Sequence, residues 1–137
     1  MVHKMLKMAK VGPGDVVYDL GCGDGRMVIA AARKYGARAV GIEIDPLRYA
    51  WCRMLVAVLG LRDRVRIVFG DFYKQSLQDA DVVTCYLLQS TNNKLQAKFK
   101  QELRPDARVV TNYFTFPRMR LIARDDEDQL YLYQLNQ

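Results

Sequence analysis

Short runs of β-forming apolar residues alternate along most of this chain with longer segments of helical periodicity. The apolar runs are rich in valine and isoleucine, and the segments between them place apolar residues on one helix face. The predicted strands lie at residues 15–20, 39–44, 64–69, 80–86 and 107–116, and the predicted helices at residues 2–10, 25–35, 46–59 and 92–103. Strands that alternate with helices in this way form a parallel, doubly wound sheet.

The last part of the chain has a different pattern. Residues 118–123 and 130–135 alternate apolar and polar positions, and no helical segment separates them. They predict an antiparallel hairpin that closes one edge of the sheet. The expected fold class is therefore α/β, a Rossmann-like, doubly wound and mostly parallel seven-stranded sheet with an antiparallel C-terminal hairpin, formed by a single domain over residues 1–137.

The first predicted strand leads into a glycine-rich turn that opens a helix. Gly21, Gly23 and Gly25 alternate in this turn, and Asp19 lies before it and Asp24 inside it. Glycine lets a ligand approach the backbone, and the helix N-terminus offers unpaired N–H groups. The spacing is not the G-x-G-x-x-G of dinucleotide folds, and the lysine of a P-loop is missing. Because two carboxylates repel a pyrophosphate and attract a cation, we expect a ligand with an amino group and a sulfonium.

Acidic residues recur at the ends of the predicted strands. Glu43 lies at the end of the second strand, and Asp71 follows the third. The carboxyl ends of parallel strands face the ligand crevice, and an acid about 20 residues after the glycine turn takes ribose hydroxyls in related nucleotide folds. The pattern predicts one nucleoside site across several strand ends. The alternative is that Glu43 and Asp71 are ordinary helix caps.

Composition and charge limit the remaining classes. The chain has 137 residues, 50% of them hydrophobic, and no apolar run that could span a bilayer, so we expect a soluble, cytoplasmic protein without a membrane partner. Its three cysteines form no C-x-x-C pair, which favours a reducing compartment. No metal site is expected, because His3 lacks neighbours of metal-ligand type. The net charge of +6 admits nucleic acid as a partner, but the basic residues are scattered.

The glycine turn resembles motif I of the class I, S-adenosylmethionine-dependent methyltransferases, in which an acid precedes G-x-G-x-G. Residues 8–26, 79–114 and 131–133 resemble the small archaeal protein-lysine methyltransferases and their mitochondrial relatives that methylate an ATP synthase subunit. The likeness covers nearly the whole chain. It departs from the family pattern before the first helix, where relatives have a proline-rich segment with a tyrosine, and after Phe116, where the chain is short.

The resemblance implies S-adenosylmethionine as the cofactor and a role for each matching residue. It assigns Asp19, Gly21 and Gly23 to the methionine moiety, Glu43 to the ribose, and Asp71 with the Phe72 backbone to the adenine. Asp24 belongs to the same cofactor site through its place in the anionic turn.

The end of the fourth predicted strand bears on the substrate. It has Thr84-Cys85-Tyr86-Leu87, whereas the nucleic-acid amino methyltransferases that resemble this fold have N-P-P-Y or D-P-P-Y. Tyr86 is expected to form an aromatic wall around a lysine side chain, and the candidates to complete that wall are Tyr113, Phe114 and Phe116. Core packing is the alternative for these rings.

The predicted function is methyl transfer to exposed lysines of several proteins. Two alternatives stay open, an RNA or DNA methyltransferase and a non-catalytic subunit that binds the cofactor. The sequence leaves the oligomeric state open.

Overall fold

The computed structural model describes residues 1–135, which form four α-helices, one short 3-10 helix and seven strands. The helices are α1 (Val2–Met8), α2 (Arg26–Tyr35), α3 (Pro46–Val58) and α4 (Gln89–Glu102), and the 3-10 helix is Phe72–Lys74. The strands are β1 (Val16–Leu20), β2 (Arg38–Glu43), β3 (Val65–Phe69), β4 (Val82–Cys85), β5 (Arg108–Asn112), β6 (Arg120–Asp125) and β7 (Leu130–Gln134). Over residues 1–135, no helix has the length and apolar character needed to cross a bilayer.

All seven strands form one sheet with the order β3-β2-β1-β4-β5-β7-β6. Strands β1 to β5 are parallel, whereas β7 pairs antiparallel with β5, and β6 pairs antiparallel with β7. The predicted mixed sheet and its C-terminal hairpin are confirmed. Because the strand order reverses between β1 and β4, the ligand crevice is expected at the carboxyl ends of these two strands.

The two faces of the sheet are covered differently. On one face, the core includes Leu6 of α1, Val28 of α2 and Cys52 of α3. On the other face, Leu95 and Phe99 of α4 pack on the strands. The lead-in helix α1 therefore contributes to the core, where it contacts α2 and β5.

Local sequence signals set the helix ends that lie near the crevice. Asp45 caps α3, since its carboxylate accepts hydrogen bonds from the Leu47 and Arg48 N–H groups, and Pro46 occupies the first helical position. Gly36 ends α2 with a left-handed φ of 68°. The predicted beginning of α3 and the predicted end of α2 are both confirmed.

Two predicted boundaries are wrong, and both lie near the ends of β4 and β5. Strand β5 ends at Asn112 because Tyr113 adopts a left-handed φ of 73° and donates its N–H to the Gln129 carbonyl at 2.7 Å. Helix α4 begins three residues early, at Gln89, whose side-chain amide bonds the backbone N–H and C=O of Thr115 at 3.0 and 2.8 Å. In each case a contact with a distant segment overrides the local pattern.

Candidate active site

The glycine turn lies at the carboxyl end of β1, where the crevice is expected. Gly23 has a left-handed φ of 56°, and a Cβ added there would meet no heavy atom within 4 Å. The turn thus needs glycine for its backbone conformation, and the space beside Gly23 is open to a ligand. Behind the turn, the Cys52 thiol of α3 donates to the Gly23 carbonyl at 3.0 Å. The backbone of the cradle is therefore held by the fold itself.

Glu43 connects the turn after β1 to the turn after β2. It is buried, with 5% of its surface exposed. Its Oε1 accepts from the Gly23 N–H at 2.8 Å, and its Oε2 accepts from the Asp45 N–H at 3.0 Å. A carboxylate can accept about four hydrogen bonds, so both oxygens retain capacity for ribose hydroxyls. The cap of α3 is Asp45, and the helix-cap alternative for Glu43 is wrong.

Asp19 is a buried carboxylate without a positive partner. Its Oδ1 accepts from the Thr84 hydroxyl of β4 at 2.8 Å, and no lysine or arginine of residues 1–135 forms an ion pair with it. Burial raises the pKa of Asp19 to about 7; the Thr84 hydrogen bond opposes this shift, and the Asp24 and Glu43 charges add to it. A cationic ligand would supply the missing charge.

Asp71 and Phe72 follow β3 and open the 3-10 helix. Asp71 Oδ1 accepts from the Tyr73 N–H at 2.9 Å, so Asp71 is a cap, as the alternative interpretation expects. Its Oδ2 accepts no hydrogen bond within the described part of the chain and can accept from an amino group. The ring of Phe72 lies 4.9 Å from that of Tyr73, measured between centroids. A hydrogen-bond acceptor and aromatic surface thus lie together beyond β3.

Asp24 differs from the other acids of the predicted site. It is exposed, and its Oδ2 lies 2.7 Å from Arg26 Nε. Its Oδ1 also accepts from the Arg26 N–H at 3.1 Å. Because Arg26 balances its charge, Asp24 attracts a cation less strongly than Asp19 does.

These groups fit a cofactor that is cationic at one end and a nucleoside at the other. The uncompensated carboxylate of Asp19 suits the cationic end, beside the open backbone of Gly23. Glu43, at the end of the next strand, offers acceptors for ribose hydroxyls, and Asp71 beyond it offers one for an adenine amino group. The order of these groups across β1, β2 and β3 matches the order of the three parts of S-adenosylmethionine.

Two tyrosines leave the ends of neighbouring strands. Tyr86 follows β4 and Tyr113 follows β5, and they are 68% and 55% exposed. Phe114 packs edge-on against Tyr113, with ring centroids 4.9 Å apart. Since β4 and β5 are paired and parallel, the exposed rings lie at the same edge of the sheet as the acids.

Phe116 is not part of this exposed aromatic group. It is buried, and its ring centroid lies 5.4 Å from that of Phe99 and 5.6 Å from that of Tyr133. Core packing, the alternative for the rings near β5, holds for Phe116. This residue therefore cannot contact a substrate lysine.

Two further residues of the site have no signal in the hydrophobic pattern. Thr84 lies opposite Asp19 in the register of β1 and β4, and only this pairing reveals it as the partner of the buried carboxylate. Gln89 binds the Thr115 backbone and so joins the beginning of α4 to the segment that carries Tyr113 and Phe114. Knowledge of the strand register would have revealed Thr84, whereas nothing local identifies the partner of Gln89.

The sheet order, the glycine turn and the strand-end acids define an S-adenosylmethionine-dependent methyltransferase with a Rossmann-like fold. Residues 19–123 match the ANTKMT methyltransferase domain, and the chain belongs to that family.

Known lysine methyltransferases resemble this chain. A protein-lysine N-methyltransferase of Saccharolobus islandicus is 42% identical over 115 residues, which are 83% of this chain and 71% of that protein. A human lysine N-methyltransferase that is named for an ATP synthase subunit is 33% identical over 116 residues, which are 85% of this chain and 49% of the human protein. The chain thus spans about half the length of its human relative.

A solved structure provides a third comparison. The crystal structure of an RNA methyltransferase from Salinibacter ruber, in complex with S-adenosyl-L-homocysteine, is 41% identical and superimposes with a TM-score of 0.91. The match covers 98% of this chain and 88% of that one. S-Adenosylmethionine is the cofactor of this family, as the resemblance implies.

Proposed function

We propose that the chain transfers methyl groups to the ε-amines of protein lysines, with broad acceptor specificity. The observation that carries the proposal is the placement of two exposed tyrosines, Tyr86 and Tyr113, at strand ends beside the cofactor cradle. The similarity to a protein-lysine N-methyltransferase of Saccharolobus islandicus supports the same substrate class.

The position of Tyr86 supports its role on the acceptor side. Cys85 lies opposite Leu20 in the register of β4 and β1, so Tyr86 leaves the sheet next to Gly21. The following residue, Leu87, approaches the same turn, since its Cδ2 lies 3.8 Å from where a Gly21 Cβ would be. The segment after β4 therefore borders the part of the cradle assigned to the methionine moiety.

S-Adenosylmethionine supplies an electrophilic methyl group bound to a sulfonium. The contribution of the chain is to align an amine with that methyl, and such alignment can lower a barrier by about 7–11 kcal/mol. We assign the Tyr86, Tyr113 and Phe114 rings to contact with the aliphatic stem of the lysine, which leaves its amine directed at the cradle. Asp19 and Glu43 hold the cofactor and do not contact the acceptor.

The acceptor lysine must react as a neutral amine. With an ordinary pKa of about 10.4, deprotonation near pH 7.4 costs about 4 kcal/mol. Partial desolvation among aromatic rings disfavours the ammonium form and reduces this cost. The chemistry therefore depends on alignment and on a partly dry channel.

RNA is the second candidate substrate. It is favoured by the 41% identical relative, an RNA methyltransferase, and by the net charge of +6. The strand-four sequence Thr84-Cys85-Tyr86-Leu87 disfavours it, because the proline pair of the nucleic-acid amino methyltransferases is missing. The Thr84 side chain, moreover, donates to Asp19 and is buried, so it is not placed to bind a base.

A transfer assay distinguishes the candidates. The full chain is incubated with radiolabelled S-adenosylmethionine and with mixed protein and RNA acceptors, and mass spectrometry locates the added methyl groups. We expect methylated lysines on several proteins. Methyl groups on nucleobases and none on lysine would establish the second candidate. Cofactor binding without transfer to either acceptor would indicate a binding subunit.

A further inference from the structure

Helix α3 is apolar on two opposite faces. Cys52 and Val56 face the core and are buried. On the opposite side, four large apolar residues recur at the spacing i, i+4, i+7 and i+11, which places them in one row along the helix. They form the α3 ridge and are Leu47, Trp51, Met54 and Val58, with exposed fractions of 81%, 51%, 48% and 75%. A helix that is apolar all around is normally covered on all sides.

Basic residues lie on both sides of the α3 ridge. On the α2 side, Arg33 and Lys34 line a concavity of about 700 Å³ together with Trp51. On the β3 side, Arg53 and Arg62 line a concavity of about 740 Å³ that reaches Met54 on the ridge. The ridge therefore projects between two depressions, each bordered by cations.

These cations are largely free of acidic partners. Within residues 1–135, Arg33, Lys34 and Arg62 form no ion pair, and Arg53 donates only to the Tyr49 hydroxyl. The acid that borders the first concavity, Asp24, is already paired with Arg26. The surface around the ridge thus has a positive charge that the protein itself does not balance.

We propose that the α3 ridge binds the surface of an anionic lipid bilayer, with α3 lying in the plane of the headgroups. A projecting row of apolar side chains that includes a tryptophan, with cations on both sides, matches the requirements of an interfacial helix. A second copy of the chain fits less well, because packing two such ridges together brings the unpaired cations of both copies into proximity. A surface-bound helix needs no membrane-spanning segment.

Fluorescence gives a specific test, because Trp51 is the only tryptophan of the chain. The full chain is mixed with phosphatidylcholine vesicles with and without phosphatidylglycerol. We expect a blue shift of the Trp51 emission and co-sedimentation with the anionic vesicles alone, both reduced at high salt. The double variant Leu47→Ser/Val58→Ser should bind these vesicles about tenfold more weakly or worse, since it removes two apolar side chains from the contact.

The matched control is Leu121→Ser/Ile122→Ser, which changes two exposed apolar residues of β6. It should bind the vesicles like the wild type, and both variants should retain wild-type affinity for S-adenosyl-L-homocysteine, which shows that they fold. Equal binding by the ridge variant, or no binding of the wild type to either vesicle, would overturn the proposal. A Trp51 shift that grows with protein concentration in the absence of vesicles would identify the ridge as a self-association surface. A shift with an acidic amphipathic peptide but not with vesicles would assign the ridge to a protein partner.

Discussion

The Thr84 hydroxyl donates a hydrogen bond to the buried Asp19 carboxylate at 2.8 Å and so joins β4 to β1 at the point where the strand order reverses. This contact holds one carboxylate oxygen, while the other accepts no hydrogen bond from residues 1–135. Burial keeps the pKa of Asp19 near 7, so the group titrates in the range where the enzyme is assayed. Several of its consequences can be measured.

Affinity for S-adenosylmethionine should decrease as the pH falls through the pKa of Asp19, about 7. The cationic cofactor favours the ionised carboxylate, and protonation removes that attraction. We expect roughly five- to tenfold weaker binding at about pH 6 than at about pH 7.5, measured by calorimetry. Asp19→Asn should bind more weakly and without this pH dependence, and it also corrects for the titration of the cofactor itself. Identical pH profiles of the two proteins would contradict the assignment.

The same substitution should stabilise the protein without cofactor. The folded-state pKa of Asp19, about 7, lies above its ordinary value of 3.8, so the folded state binds the proton more tightly than the unfolded state. Wild-type stability from this group is therefore present below the ordinary value and is lost as the pH rises through about 7. Relative to the wild type, Asp19→Asn should gain on the order of 3–4 kcal/mol in unfolding free energy between about pH 4 and about pH 8. Urea unfolding at the two pH values gives the difference, and a constant difference would be the contrary outcome.

Removing the Glu43 carboxylate should weaken cofactor binding. Glu43→Ala loses the ribose contact and the link from Gly23 to Asp45, with an expected cost of about 1.5–3 kcal/mol in binding free energy. Calorimetry with S-adenosyl-L-homocysteine measures the loss. Glu127→Ala, at an exposed acid of the C-terminal hairpin, is the control and should bind normally. Unchanged affinity in Glu43→Ala would eliminate the ribose assignment.

Truncation of Tyr86 should affect methyl transfer far more than cofactor affinity. Only the acceptor side loses its alignment, so kcat should fall while the Kd for S-adenosylmethionine stays close to the wild-type value. Tyr86→Phe keeps the ring and should restore most of the rate. Parallel losses of rate and cofactor affinity in Tyr86→Ala would move this residue into the cofactor site.

Gln89 should act by positioning the acceptor wall. Gln89→Ala removes two hydrogen bonds to the Thr115 backbone, which should lower the unfolding free energy by about 1–2 kcal/mol. It should also reduce kcat/KM without weakening cofactor binding. Gln101→Ala, at an exposed position of the same helix, supplies the matched control. Full activity of Gln89→Ala would show that the link is structural only.

The strands, the hairpin and the acids at the strand ends could be predicted because their signals are local. Asp45 and Pro46 specify the beginning of α3 through a cap and a fixed φ, and Gly36 ends α2 because it adopts a left-handed conformation without strain. Alternation with helices then makes the strands parallel and brings their acidic ends to one edge. The sequence by itself therefore determined the fold class and the position of the cofactor cradle.

Tertiary structure alone decided which of these groups are chemically unusual. The Asp19 pKa near 7 depends on burial by segments far along the chain and on Thr84, 65 residues away. Tyr113 takes its left-handed conformation where it binds Gln129, and Phe116 is buried between rings of α4 and β7. Both faces of α3 have the same apolar pattern in the sequence, and only the packed structure shows which one remains exposed, because burial depends on every neighbouring segment at once.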